Sequence, residues 1–448
     1  MDRADEDRLS TENTARSSRR VFLEISSAAA FTVAGGLMGQ AGRAYPGEAR
    51  KTVRLGVVGG GFGASFSWHE HPNCVVTAVT DLRPDRRERL RNRYRCDAVY
   101  DSLEIMLREA KDVDAVAVFS GAPDHARHAK MCMDRGWHVV TAVPACMSLD
   151  EAAMLVERKR KTGLRYMMAE TSWYRGECIF ARNLYRAGGF GELFYTECEY
   201  YHDLVQYYYH ESDFRRPRTD RMATFGNPDG TRSWRWGYAP MLYPTHSLGF
   251  LVGVTGERVR KVSCLGWAGN RPELRDHPSR TDNVYDNPFW NQAALMLTDR
   301  GHVCRCNVFY VCNAHGERAQ WFGDRASLYM PNGGVHGAVE TKKGTGPICR
   351  NGPKGASHKL DLSPFSTPVA LPPYWKSDML PEPMRHESGH GGSHVFISAE
   401  FINALVEDRE PEIDLDASLA MTVPGIIAQQ SSMQHGKQLP VPQFDPAG

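Results

Sequence analysis

From Lys51 to about Cys146 short apolar runs alternate with charged stretches. The apolar runs are Val53 to Val58, Val75 to Thr80, Ala115 to Phe119 and His138 to Ala142, each bounded by turn or polar residues, as suits buried parallel strands. The charged segment Pro84 to Tyr94 and the segment Ser102 to Ala110 read as surface helices. Such alternation predicts a parallel sheet covered on both faces, with its ligand site at the carboxyl ends of the strands. After about Thr171 the pattern changes to longer alternating runs at Leu193 to Tyr200, Val259 to Trp267, Ala293 to Leu297, Val303 to Val311 and Ala326 to Tyr329. With few helices between them, these predict a mainly antiparallel sheet. Pro, Gly and charged residues crowd Arg215 to Arg232 and Gly333 to Leu380, which read as long loops bordering a site. Helical stretches at Val395 to Glu407 and Leu415 to Gln434 close the pattern.

The first glycine-rich turn adds a ligand to this outline. Gly59, Gly61 and Ala64, with Phe62 and Gly63 between them, fit G-x-G-x-x-G/A at the end of the first strand. Glycines there bring backbone N–H groups, and the positive end of a following helix, up to a pyrophosphate. Asp81 ends the second strand 20 residues after Gly61, where a carboxylate accepts hydrogen bonds from an adenosine ribose and favours NAD. Asp81 as a plain helix N-cap is the competing reading, and Arg83 beside it keeps NADP open. Pro123 and His125 follow the third apolar run, at the edge where the nicotinamide half belongs. The predicted class is therefore α/β, an N-terminal doubly wound parallel (Rossmann) sheet in residues 51–172, then an α+β domain with a large, mainly antiparallel open sheet in 173–442.

Composition removes several alternatives. The chain has 448 residues, 42% hydrophobic and 24% charged, with a formal charge of +1, so nothing electrostatic calls for nucleic acid or a membrane surface as partner. Its 11 cysteines include no C-x-x-C pair, and Cys304 and Cys306 alternate on a strand and read as packing residues. Residues 1–44 stand apart: a polar start, Ser18-Arg19-Arg20-Val21-Phe22-Leu23, an Ala- and Gly-rich apolar run from Ile25 to Met38, then Gly42 and Ala44. This resembles a twin-arginine export signal, implying a periplasmic or extracellular destination; a disordered tail is the plainer reading. The run is too short and glycine-rich for stable membrane insertion.

From Val53 to Pro442 the order of parts resembles the Gfo/Idh/MocA family of oxidoreductases. The likeness rests on the glycine turn, Pro123 with His125, GWHVVTAVPACMSLDEA at 136–152, EFINALVEDREPEIDLDASL and GKQLPVP. It implies an NAD-holding enzyme acting on a small-molecule carbohydrate, with an open C-terminal sheet that makes a homo-oligomer. The sequence departs from the family's dehydrogenase pattern at two proton-handling positions: Val143 stands where a lysine is usual, and Leu242 where an Asp four residues before the catalytic His is usual. Neither can carry a proton.

The segments YPTH at 243–246, Tyr166 to Arg175 and GHGG at 389–392 look like the NAD-dependent glycoside hydrolases of the α-N-acetylgalactosaminidase type. Those enzymes oxidise a sugar 3-hydroxyl, eliminate the aglycone, add water and return the hydride. The resemblance makes His246 the base for the hydroxyl and Tyr243 and Tyr174 the proton-handling phenols, with roles that could be exchanged, and Glu170 the group orienting sugar hydroxyls or water. Spacing lets Tyr243 share a face with His246 if the segment is helical. Ordinary NAD(P)-dependent sugar oxidation, transhydrogenation, or a non-catalytic sugar sensor are the alternatives. Trp234, Trp236, Tyr238, Tyr201 and Tyr207 to Tyr209 read as sugar-stacking or core aromatics. His386, His390 and His394 recur every four residues, but the intervening glycines favour a substrate-facing loop, and no metal is assigned.

Overall fold

A computed structural model describes residues 51–202, 209–210, 213–217, 231–312, 314–330 and 371–444. The first four apolar runs form strands with bounds close to those expected. The strands are β1 (Val53–Val58), β2 (Cys74–Thr80), β3 (Val99–Tyr100), β4 (Ala115–Val118), β5 (His138–Thr141) and β6 (Tyr166–Met168). They form one parallel sheet in the order β3-β2-β1-β4-β5-β6, so the topological switch falls between β1 and β4. The connecting helices are α1 (Pro84–Tyr94), α2 (Leu103–Glu109), α3 (His125–Asp134) and α4 (Leu149–Thr162). Their ends follow local chemistry. Pro84 opens α1, the Ser102 and Ser148 hydroxyls accept the Ile105 and Glu151 N–H groups, and Gly163 closes α4 at φ +66°.

One expected element is missing. After the glycine turn the chain makes only two short 3₁₀ turns, Phe62–Ser65 and Trp68–Glu70. Phe66 and Trp68 are both fully buried there, and a regular helix would carry one of them away from the core.

The second half contains α5 (Gly176–Arg186), β7 (Leu193–His202), the pair β8 (Tyr209–His210) and β9 (Asp213–Pro217), and α6 (Thr245–Thr255). Then come β10 (Val259–Trp267), β11 (Asn291–Thr298), β12 (Val303–Phe309), β13 (His315–Gly323), β14 (Ser327–Tyr329), α7 (Gly389–Val406), α8 (Leu415–Met433) and β15 (Leu439–Pro440). A seven-stranded sheet runs β14-β13-β7-β12-β11-β10-β15, antiparallel except between β7 and β12. Every residue of α6 is buried, because this helix, apolar on nearly all sides, lies between the sheet, α5 and α8. Helix α7 returns to the first half: Phe401 meets Trp68 edge-on, and the Ser398 hydroxyl accepts the Ser67 N–H. Strand β13 had no signal in the sequence, since Glu317, Arg318 and Gln320 interrupt its apolar alternation.

The opposite face of the large sheet is open. Leu265, Trp267, Leu295 and Val303 are exposed on it, around the ladder Arg318–Glu199–Arg305–Glu197. All ten cysteines among the described residues are free thiols, and Cys304 and Cys306 pack in the core. Among the described residues no helix is long and apolar enough to cross a membrane; the twin-arginine-like segment lies outside them.

Candidate functional site

The glycine turn at the end of β1 is shaped for close approach. Gly59 has φ +97°, and a Cβ on it would lie 2.3 Å from the Phe119 carbonyl oxygen. A Cβ on Gly63 would press the Phe119 ring at 2.9 Å, whereas Gly61 has nothing nearer than 3.6 Å and leaves a cradle above its backbone. Asp81 closes one side of that cradle: Oδ2 accepts the Gly60 N–H at 2.7 Å and Oδ1 the Arg83 N–H at 2.8 Å. The Arg83 guanidinium turns instead to Asp85, at 2.9 and 3.0 Å, which favours the NAD reading over NADP. Ala64 is buried beneath the turn, and the Phe62 ring stands edge-on to Phe66, Phe119, His390 and His394. These residues fit a dinucleotide, with backbone N–H groups toward phosphate and a carboxylate toward ribose.

Pro123 lies half-buried in the 3₁₀ turn Ala122–Asp124. His125 is turned inward: its Nδ1 is 2.8 Å from the Pro144 carbonyl and its Nε2 3.0 Å from that of Ser120. Burial lowers its pKa. With both ring nitrogens against backbone carbonyls, His125 ties the loop after β4 to the loop after β5.

A buried charged group sits beyond the carboxyl end of β6. Glu170 is fully buried; its Oε1 accepts the Ser172 N–H and hydroxyl at 2.8 Å each and faces His246 Nδ1 at 2.9 Å. His246 is the second residue of α6, so the helix aims its imidazole at the loop after β6. The sheet supplies the rest: Glu317 pairs across strands with Tyr200, and His315 with His202, which puts all four on the face that α6 covers. Tyr200 and Tyr243 ring centroids lie 5.0 and 5.1 Å from that of His246. Arg175 Nε contacts Glu317 Oε2 at 2.8 Å, and a Cβ on Gly391 would lie 3.1 Å from the Arg175 guanidinium. The GHGG loop thus reaches the same place, with His390, Gly391 and Gly392 all at positive φ and His390 Nδ1 2.8 Å from His394 Nε2.

The electrostatics follow from the count of charges. Burial pushes the His246 pKa down, but Glu170 and Glu317 outweigh it and raise the value above the ordinary one. Burial likewise favours neutral Glu317, yet His246 and Arg175 hold its pKa at about 2. Two carboxylates then face one guanidinium, and the fourth charge is the imidazolium. An imidazole accepts a proton only when neutral, so with His246 in the role expected from sequence kcat/KM should rise with pH through a midpoint above ~6.5. Glu317→Gln removes a negative charge and unpairs Arg175, both of which lower the His246 pKa. A pH profile whose ascending limb does not move to lower pH in this variant contradicts the assignment.

Several sequence expectations change here. Tyr243 is not on the helix that carries His246; it precedes α6, in the cap of the 3₁₀ turn Pro240–Leu242, and reaches the imidazole from the side. Tyr174 does not join the group. Its ring stacks on Phe396 at 5.7 Å, and burial, then the charges of Glu412 and Glu400, raise its pKa well above the usual phenol value. The next residue, Arg175, points into the site instead. Tyr201 lies on the open sheet face, stacked on Phe309 at 4.9 Å, while its neighbour Tyr200 faces His246. Tyr238 is core, Trp236 Nε1 donates to the Asp282 carbonyl, and Trp234 lies against Gly121 after β4. The side chains of Tyr207 to Tyr209 lie outside the described residues. His386 pairs with Glu70 away from His390, and the described residues hold no metal-ligand cluster.

Residues 53–170 match the family described as "Oxidoreductase family, NAD-binding Rossmann fold". Over these residues the chain is similar to the Gfo/Idh/MocA oxidoreductases. A protein of Streptomyces coelicolor named "Glycosyl hydrolase family 109 protein" is 24% identical over 425 residues, 89% of this chain and 84% of its own length. One of the same name from Shewanella amazonensis is 31% identical over 261 residues, spanning 53% of its own length and 52% of this chain. Among solved structures, scyllo-inositol dehydrogenase from Lactobacillus casei with bound NAD(H) and scyllo-inositol aligns with TM-score 0.59 at 15% identity, over 87% of this chain and 99% of that one. An oxidoreductase domain protein from Kribbella flavida aligns with TM-score 0.60 at 16% identity, over 88% of this chain and all of that one.

Arg175, Glu317, Tyr200 and His202 were not among the residues singled out by sequence. The Tyr200 hydroxyl and His202 Nδ1 share a hydrogen bond at 2.7 Å, and burial, then His315, lowers the His202 pKa to about 3. The register of β7 against β13 was the missing signal.

Proposed function

We propose that the protein acts on a carbohydrate by hydride transfer at a sugar hydroxyl and that the net reaction is redox-neutral cleavage of a glycosidic bond. The observation that carries this reading is the buried His246–Glu170 pair at the carboxyl edge of the parallel sheet, in a chain with Val143 and Leu242 where family dehydrogenases keep a lysine and an aspartate. The names of the two hydrolase relatives support it.

When bound, NAD supplies hydride acceptance and return at the oxidised carbon. Gly59, Gly61, Gly63 and Asp81 would hold it. His246 Nδ1 donates to Glu170, which fixes the tautomer and leaves Nε2 to take the proton of the sugar hydroxyl. Glu170 stabilises the imidazolium that forms. Tyr243 and Tyr200, against the imidazole, are the phenols placed to handle the proton at the neighbouring carbon once a ketone has acidified it. Arg175 and Glu317 bind sugar hydroxyls from the side facing the GHGG loop. Water enters where the aglycone leaves, so no electrons are gained or lost overall.

Aryl glycosides offered without an external acceptor provide the test. Aglycone release over many turnovers is expected; one equivalent of reduced cofactor with no aglycone would establish ordinary sugar oxidation instead. The inositol dehydrogenase folds make that the second reading.

The open sheet face is proposed as the contact with a second copy, because it exposes apolar side chains around a charged ladder. Leu295→Glu should convert the oligomer to monomer in size-exclusion chromatography with light scattering. Export through the twin-arginine-like segment fits a cofactor that is never consumed, and signal-dependent appearance in the periplasm would test it.

A further inference from the structure

We propose that Arg86 is a phosphate clamp over the glycine turn, supplying the positive charge that a long helix N-terminus would otherwise offer the dinucleotide. The inference rests on the NAD-binding domain and not on the glycosidase reading. A regular helix after β1 would place about half a positive charge at the turn, but that charge needs aligned peptide dipoles over several turns. This chain has only the four-residue 3₁₀ turn Phe62–Ser65. A doubly charged pyrophosphate therefore meets N–H groups with little dipole behind them.

Helix α1 brings a guanidinium to the same spot. A Cβ on Gly60 would lie 2.3 Å from the Arg86 carbonyl oxygen, so the first turn of α1 is packed directly on the glycine turn and Arg86 is fixed in place. Its side chain extends over Gly61: Nη1 and Cζ stand 3.6 and 3.7 Å from where the Gly61 Cβ would be. The nearby acids are engaged elsewhere, Asp85 by Arg83 and Asp101 by Arg87. Arg86 itself is half-buried and has no ion-pair partner among the described residues. Asp81, bonded to Gly60, marks the ribose side. An anion lying over Gly61 would touch the guanidinium, while a sugar hydroxyl would touch the carboxylate. The ligand chemistry is a phosphate on the adenosine half, and the position over Gly61 points to the pyrophosphate that NAD and NADP share.

The test uses full-length protein freed of nucleotide, with NAD, NADP, AMP and adenosine as probes and calorimetry as readout. Losing one charge-assisted contact in Arg86→Gln should weaken NAD and AMP by roughly 10- to 100-fold. Adenosine, which has no phosphate, should bind as before, and Arg86→Lys should recover part of the loss. The nucleotide retained by Arg86→Gln through purification should fall in parallel. Equal weakening of adenosine would make Arg86 a packing residue and overturn the proposal. Weakening of NADP with NAD and AMP unchanged would make it a reader of the 2′-phosphate and also overturn it, as would no change at all. A thermal melt of each variant separates loss of the clamp from loss of the fold.

Discussion

Replacing His246 with alanine is expected to lower kcat/KM by about 10² to 10⁴-fold, the range for a lost general base. Nucleotide binding should persist, because the glycine turn and Asp81 do not touch residue 246. The loss should be greatest where the wild-type enzyme is most active, above the raised His246 pKa, and the pH dependence should flatten. Glu170→Gln asks the companion question. It keeps the side-chain shape and the chance of a hydrogen bond from Ser172, but removes the charge that fixes the imidazole and supports its protonated form. It should cost activity on the same scale while the melting temperature changes less than in His246→Ala, which strands a buried carboxylate. Full activity in His246→Ala with bound nucleotide would remove residue 246 from the role of base, and no turnover in either wild type or variant would favour a non-catalytic sensor.

The second large effect is expected at Gly59. Alanine there must hold φ near +97° and place a methyl group 2.3 Å from a backbone oxygen, a contact that a side-chain rotation cannot relieve. A destabilisation on the order of 2 to 4 kcal/mol, with loss of retained nucleotide, should follow. Gly163→Ala is the control: its φ is +66°, but nothing lies within 4 Å of the added carbon. It should cost only about 1 kcal/mol, with nucleotide retained. Denaturant midpoints for the two variants separate backbone strain from collision. Equal costs would mean that the turn relaxes and the contact at Phe119 does not hold it.

Local pattern is legible in the order of residues alone. The apolar runs of β1, β2, β4 and β5, the Ser102 and Ser148 caps, the glycines of the turn and the acid at the end of β2 all depend on residues within one or two turns of each other. Such signals survive in sequence because period and backbone stereochemistry are local properties. The helix expected after the glycine turn was lost because burial of Phe66 and Trp68 against a helix from the far end of the chain outweighed the local tendency.

Only the tertiary structure decided which polar residues meet. Glu170 and His246 are 76 positions apart, and Arg175 and Glu317 are 142 apart. The choice of Tyr200 over Tyr201 turned on a single residue of strand register, which sends neighbours to opposite faces of the sheet. Arg175 enters the site in place of the expected Tyr174 for a similar reason, since the chain turns between them at the start of α5. The sequence by itself determined that this protein holds a dinucleotide on a parallel sheet. Which side chains face the bound molecule depended on the packing of α6 and α7 onto two sheets, because a buried charge takes its partner from whatever the fold brings within reach.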